Sequence, residues 1–263
     1  MATIEVRTWA ELTAALNSAE DADIYMMNDI DLNDELPEGI TNPIINQVRY
    51  NKVLNGNGHT IKNIHSDKGI NVFYGYYNKK PAFNNVNFHN VYLTNSSRLF
   101  EAIELSGCNI SADLVDSYLS YTQSYSSFTR CGITVNGYGK AFLNNSSAST
   151  NTKQVFTDCN IKINGTVTGL CADLQNSYLS GDFEITGTKT INLFSSSLSV
   201  INAKINSAVG IGGGTNINLL LINTDNLILP EGTSLPSTVV PCTTEELKSA
   251  QALRDKSFPI GVD

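Results

Sequence analysis

The chain has 263 residues, 41% of them hydrophobic and 16% charged, which is long enough to bury a substantial core and too apolar for an intrinsically disordered chain. Seventeen Lys and Arg against 25 Asp and Glu leave a formal charge of −8, so the cationic footprint of a nucleic-acid binder is missing. The 31 asparagines, with abundant Ser, Thr and Gly, favour turns and short strands over helices.

At the N-terminus, Met1 to Val6 contains no basic segment followed by an apolar run, and no later stretch approaches the length of a membrane span, so neither a signal peptide nor membrane insertion is expected. A short strand is predicted at 3–6. Thr8-Trp9-Ala10-Glu11 is a T-x-x-E capping box, after which Trp9, Leu12, Ala15 and Leu16 recur at helical spacing, predicting a helix over 9–18. A strand at 23–28 follows, with Ile24 and Met26 pointing inward. Residues 1–22 therefore read as a cap.

From Val53 to Ile64 the apolar residues Leu54, Ile61 and Ile64 are expected to face inward, with Asn55-Gly56-Asn57-Gly58 at a bend. The same design recurs downstream. Starting from Phe156-Thr157-Asp158-Cys159-Asn160-Ile161-Lys162-Ile163, apolar or small residues fall at relative positions 0, 3, 5 and 7, with polar residues between them. Phe83/Val86/Phe88, Leu105/Cys108/Ile110/Ala112, Phe128/Cys131/Ile133/Val135, Leu174/Ser177/Leu179, Leu193/Ser196/Leu198/Val200 and, more loosely, Ile222/Asp225/Leu227/Leu229 fit this template. The third-position residues lie 22, 23, 28, 18, 19 and 29 apart, the length of one turn of a β-solenoid. Positions 3, 5 and 7 alternate as a strand with one inward face requires, and the chain turns a corner between 0 and 3. Cys108, Cys131 and Cys159 then stack as a ladder of reduced thiols. With no CxxC pair and an odd total, the five cysteines predict neither a disulfide framework nor a zinc site.

Beyond residue 230 the repeat breaks at Pro230 and Pro236. Thr243-Thr244-Glu245-Glu246 begins a second capped helix carrying Leu247, Ala250 and Leu253. The apolar tail Phe258, Pro259, Ile260 and Val262 is expected either to fold over the last coil or to dock on a neighbouring subunit as an assembly segment. The domain plan is a cap over 1–22, a coil over 23–230 and a C-terminal helix and tail over 231–263.

The run from Leu54 to Ile64, with the later F-x-x-C-x-I segments, resembles right-handed parallel β-helix proteins of the pectate-lyase-like class. The resemblance spans about 20–230 and implies an all-β, single-chain parallel β-helix with short capping α-helices at both ends. It concerns the fold and says little of activity. Catalysis in that class uses carboxylates on one outward face, for which Glu101, Glu104, Asp113 and Asp116 are the candidates; no lyase or polygalacturonase signature accompanies them. His59, His65 and His89 lack metal-ligand spacing, and Gly210 to Thr215 lacks the residues of a phosphate loop, so no metal and no cofactor are expected. Two aromatic segments supply candidate contact residues, Tyr74, Tyr76 and Tyr77, and Tyr118, Tyr121 and Tyr125, since tyrosine pairs a flat apolar face with a polar tip.

An acidic, signal-less, asparagine-rich β-helix also resembles structural and adhesive β-helices of bacteriophage particles. That resemblance implies a non-enzymatic virion protein, as head fibre, capsid decoration or tail-associated spike. It would be made in the host cytoplasm, assemble with other virion proteins and copies of itself, and touch a host surface glycan. A small polysaccharide lyase or depolymerase and a bacterial surface adhesin are the alternatives.

Overall fold

The computed structural model describes residues 1–41, 50–75, 79–121, 126–138, 154–167, 171–185, 191–195, 199–207, 211–213, 220–228, 231–232, 234–235 and 239–256. All of the strand pairing is parallel. One sheet of ten strands begins with Ala2–Val6 and Ala22–Met26, passes through Lys52–Asn55, Ala82–Asn84, Glu104–Ser106, Ser127–Thr129 and Gln154–Thr157, and ends at Ile211–Gly213. A second, of eleven, runs from Ile30–Asp31 through Thr60–Ser66, Asn87–Leu93, Asn109–Val115, Gly132–Tyr138, Asn160–Val167 and Tyr178–Ile185 to Val239–Cys242. A third joins Asn71–Tyr74, Arg98–Glu101 and Tyr118–Ser120. The chain visits the sheets in turn and lays each strand on its counterpart one coil earlier: a right-handed parallel β-helix.

The predicted repeat becomes columns of stacked residues. Position 0 runs Leu54, Phe83, Leu105, Phe128, Phe156, Leu174 along the ten-stranded sheet. Position 5 runs Ile61, Phe88, Ile110, Ile133, Ile161, Leu179 along the eleven-stranded sheet, and all of these side chains are buried. Phe73, Phe83, Phe88, Phe100, Phe128 and Phe156 form one chain of rings with centroids 4.8–6.4 Å apart.

The corner between the two large sheets falls at position 2, where Asn85, Arg130, Asp158 and Asn176 all have φ between 48° and 56° and Gly107 has φ 65°. A left-handed residue breaks the backbone ladder there, and the third-position side chain repairs it. The Cys108, Cys131 and Cys159 thiols and the Ser177 hydroxyl donate to the carbonyls of Phe83, Leu105, Phe128 and Phe156, each one coil earlier, at 3.4, 3.8, 3.3 and 3.0 Å. Cys159 Sγ and Ser177 Oγ also accept from the N–H groups of Cys131 and Cys159. The thiols are thus structural groups satisfying buried backbone atoms. Cys108 and Cys159 are pushed up by their hydrogen bonds with Cys131 and by burial.

Three parts of the predicted repeat need correction. Leu174 pairs with Ser195 and Ala172 with Leu193, so the Leu193 segment is displaced by two residues. Ile222 pairs with Ile201 and occupies position 5 instead of 0. Alternation cannot resolve the two-residue slip in the ten-stranded sheet, but Val200, predicted at position 7, pairs with Tyr178 at position 4, because one residue more than in the coil before separates the two registers. Asp225 leaves the ladder altogether: it is exposed in the 3-10 turn Thr224–Asn226, and its carboxylate accepts from the Thr244 N–H at 2.7 Å. Ser196 lies outside the described residues.

The first helix is as expected, and the strand before it, Ala2–Val6, pairs with Ala22–Met26 as the first strand of the ten-stranded sheet. The helix Trp9–Asn17 carries the full Thr8/Glu11 capping box, and Glu35 accepts from the N–H of Trp9 at 2.7 Å, placing a carboxylate on the helix start. Trp9 packs edge-on against Phe73 at 6.2 Å, so the helix closes the aromatic end of the coil. Below it the buried Lys52 donates to Ser18 Oγ and to the Glu20 carbonyl, both at 2.6 Å, and burial lowers its pKa. At the other end the expected single helix is two: Thr244–Leu247 stops at Lys248, and the Ser249 hydroxyl recaps a second helix, Ala250–Asp255. Leu247 and Leu253 pack on Leu221 and Cys242, whose thiol burial pushes up to about 11.

Candidate binding face

The outer face of the eleven-stranded sheet is built by alternation: wherever positions 5 and 7 point inward, 4 and 6 point out. Stacking converts these into two columns. The first is Thr60, Asn87, Asn109, Gly132, Asn160, Tyr178. The second is Lys62, His89, Ser111, Thr134, Lys162, Ser180, with Asn90 as an extra, positive-φ residue beside His89. Together they line an open groove of about 790 Å³ across six coils, with Asp29 at one end.

Side-chain hydrogen bonds brace the start of both columns. Asn109 donates to Asn87 Oδ1 at 3.0 Å, and Asn87 donates to the Gly58 carbonyl at 2.7 Å. Asp31 receives the Asn63 amide at 2.6 Å and pairs with Lys62 at 3.1 Å, which together hold its carboxyl below the usual value. Beyond the groove a third outward column runs His65, Tyr92, Asp113, Asn136, Asn164, Asp182, where Asn136 donates to Asp113 and Asn164 to Asn136 at 2.8 and 3.0 Å. These external amide ladders give Asn87, Asn109, Asn136 and Asn164 a structural use.

Most of the exposed tyrosines among the described residues also lie on this face. Of the seven large apolar or aromatic side chains exposed among the described residues, Tyr92 (44%), Val115 (39%), Tyr138 (64%) and Tyr178 (37%) lie on this sheet, Tyr92 tilted at 42° to the His65 ring with centroids 5.6 Å apart and Val115 beside Tyr138. Sequence reasoning passed over these tyrosines, because each stands alone in its strand. Projecting the repeat outward, with Tyr178 at position 4 of its segment, would have exposed one of them.

The sequence-derived candidates lie elsewhere. Tyr118 and Tyr121 meet at 5.3 Å beside the third sheet, with the Arg98 guanidinium 3.9 Å from the Tyr121 ring; Tyr118 is buried and Tyr121 half-buried. Tyr74 is half-buried, paired in register with Glu101. Tyr76, Tyr77 and Tyr125, and the tail residues Phe258, Pro259, Ile260 and Val262, lie outside the described residues.

The four carboxylates do not converge. Glu101 is buried in the third sheet, accepts from Asn71 at 2.7 Å and lies 3.9 Å from Arg98; burial pushes its pKa up against the opposing pull of Arg98 and Asn71. Glu104 is exposed on the ten-stranded sheet, Asp113 on the eleven-stranded sheet, and Asp116 at a positive-φ corner. Such a scatter over separate faces provides no acid–base pair around one bond. Among the described residues no group of three or more His, Cys, Asp or Glu is arranged to hold a metal ion, and no helix is long and apolar enough to cross a membrane.

Among curated proteins, none matches this chain. The family model for the pectate lyase-like adhesive domain matches residues 3–229, from the first strand to beyond Leu220–Asn223. The match covers most of the chain, and the protein belongs to the pectate lyase-like adhesive domain family.

Proposed function

We propose that this chain is a non-enzymatic adhesion module whose contact surface is the outer face of the eleven-stranded sheet, carried on a bacteriophage particle among other virion proteins and further copies of itself. The observation that carries the adhesive reading is that Tyr92, Tyr138 and Tyr178 are all exposed on the one sheet face that also holds a polar groove, in a coil whose candidate carboxylates fall on separate surfaces. Exposed tyrosine rings next to amide and hydroxyl columns suit a hydroxylated surface such as a host glycan. A rigid coil serves that purpose without any moving part. The family's adhesive description supports the same role and equally serves the second reading, a bacterial surface adhesin.

The test is adhesion of the purified protein to host cells. Replacing Tyr92, Tyr138 and Tyr178 together by alanine is expected to abolish adhesion while leaving the melting temperature within a few degrees. Shortening of a capsular polysaccharide by the wild type, lost in Asp113→Ala or Asp116→Ala, would make it an enzyme instead. The virion reading expects the protein in purified particles at a symmetry-fixed copy number; its recovery on cell envelopes and never in particles selects the surface adhesin. Deleting residues 257–263 separates the two roles of the tail: lost assembly at unchanged melting temperature indicates docking, and a lower melting temperature indicates a lid.

A further inference from the structure

We infer that the free edge of the first strand, Ala2–Val6, accepts an extended segment of another protein in which basic and apolar residues alternate. Ala2 donates to the Asp21 carbonyl and Val6 accepts from the Met27 N–H, at 2.9 and 3.0 Å, in register with Ala22–Met26. A parallel ladder then turns the N–H and C=O of Thr3 and Glu5 the other way, where no strand lies among the described residues. Both residues are exposed, and these backbone groups have no hydrogen-bond partner among the described residues.

The inner side of that edge is unfinished. Along the column Ile4, Ile24, Leu54 the second and third side chains are fully buried, whereas Ile4, at the end, is only partly so, and Ala2 and Ala22 differ in the same way. One more strand laid on Ala2–Val6 would set its inward side chains over Ala2 and Ile4. Unpaired backbone and half-covered apolar side chains along one line are what strand addition uses.

Charge sets the chemistry of the partner's other face. Residues 1–41 hold ten carboxylates and one cation, Arg7, against fifteen and sixteen over the rest of the chain. Arg7 is already paired with Glu5 at 3.0 Å. On the outward side Thr3 is in register with Asp23 and Glu5 with Tyr25, and Glu20 is exposed just before that second strand. An added strand therefore meets carboxylates outward, which suits Lys or Arg at every second position. A second copy brings the same carboxylates with its own first strand. Its opposite end, 239–256, balances Glu245, Glu246 and Asp255 with Lys248, Arg254 and Lys256, so neither end of a copy supplies the charge.

The experiment titrates the full chain with a fluorescent synthetic heptapeptide of alternating Lys and Val, read by anisotropy, with alternating Glu and Val as the control. The basic peptide is expected to bind about a hundredfold tighter than the acidic one, and amide exchange at Thr3 and Glu5 to slow in the complex. Thr3→Pro, which an edge strand tolerates, removes one outward donor and obstructs the approach; it should abolish binding at unchanged melting temperature. Glu5→Gln combined with Asp23→Asn should weaken binding about tenfold. No binding of the basic peptide, equal affinity for the acidic one, unchanged exchange at Thr3 and Glu5, or indifference to both sets of substitutions overturns the inference. Self-association of the wild type that Thr3→Pro abolishes also overturns it, in favour of a second copy at the edge. Host-cell adhesion is a separate readout, since Thr3 and Glu5 belong to the ten-stranded sheet.

Discussion

The buried corner ladder and the outer columns have the same geometry, one residue per coil stacked at strand spacing, and opposite tolerance. Inside, each thiol or hydroxyl of Cys108, Cys131, Cys159 and Ser177 satisfies a carbonyl of the coil before it in a space closed to water. Outside, Asn136 and Asn164 make equally regular hydrogen bonds at 2.8 and 3.0 Å, but water competes for every one. Stacking alone therefore does not stabilise a coil. Its value depends on whether the stacked group has an alternative partner.

Several substitutions sharpen that contrast. The largest effect is expected at Gly181, on the inner column below Ile163, where φ is +117° and an added Cβ would meet the Ile163 carbonyl oxygen at 1.9 Å. Gly181→Val forces two coils apart and should cost more than about 4 kcal/mol, seen as failure to recover folded protein at 37 °C. Next is the ladder. Cys159→Ala removes the group that bonds Phe128 O and accepts from Cys131 N–H, for an expected loss of about 1–3 kcal/mol in denaturant unfolding. Cys159→Ser should cost less than about 1 kcal/mol, since Ser177 already fills the equivalent corner one coil on.

Glu101 gives a pH-dependent effect. Burial raises its folded-state pKa, so its contribution to stability is present below the ordinary value of 4.5 and is lost as pH climbs through the raised one. Glu101→Gln keeps an oxygen for the Asn71 amide and removes the titration. Wild type should therefore lose stability relative to the variant as pH rises from 4.5 upward, and parallel pH–melting curves would contradict this. The smallest effect belongs to Asn136→Ala on the outer column, expected within about 0.5 kcal/mol of wild type.

Much of this architecture was readable from residues. The T-x-x-E box marks the first helix because capping needs those side chains at that spacing. Leu54 and Ile61 are inward because a half-buried strand alternates, Ile64 joins them because Asn63 at φ 61° adds a residue to its strand, and the cysteines stack because a tight corner admits only a small side chain. The third sheet was not legible. In Asn71–Tyr74 and Arg98–Glu101 the consecutive pairs Val72-Phe73 and Leu99-Phe100 are all buried, which erases alternation. The face was hidden for another reason. Tyr92, Tyr138 and Tyr178 lie far apart along the chain and share one face only through coil-on-coil register, whereas Tyr118 and Tyr121 of the second tyrosine-rich run pack with Arg98.

The central claim is that the chain coils about one axis and closes its corner with stacked, water-excluded thiols. Peptide-resolved alkylation of the cysteines across a denaturant series tests it most directly. Cys108, Cys131 and Cys159 should stay unreactive under native conditions and become reactive together in a single unfolding transition. Modification of any of the three in the folded protein, or their release in separate steps, would contradict the account.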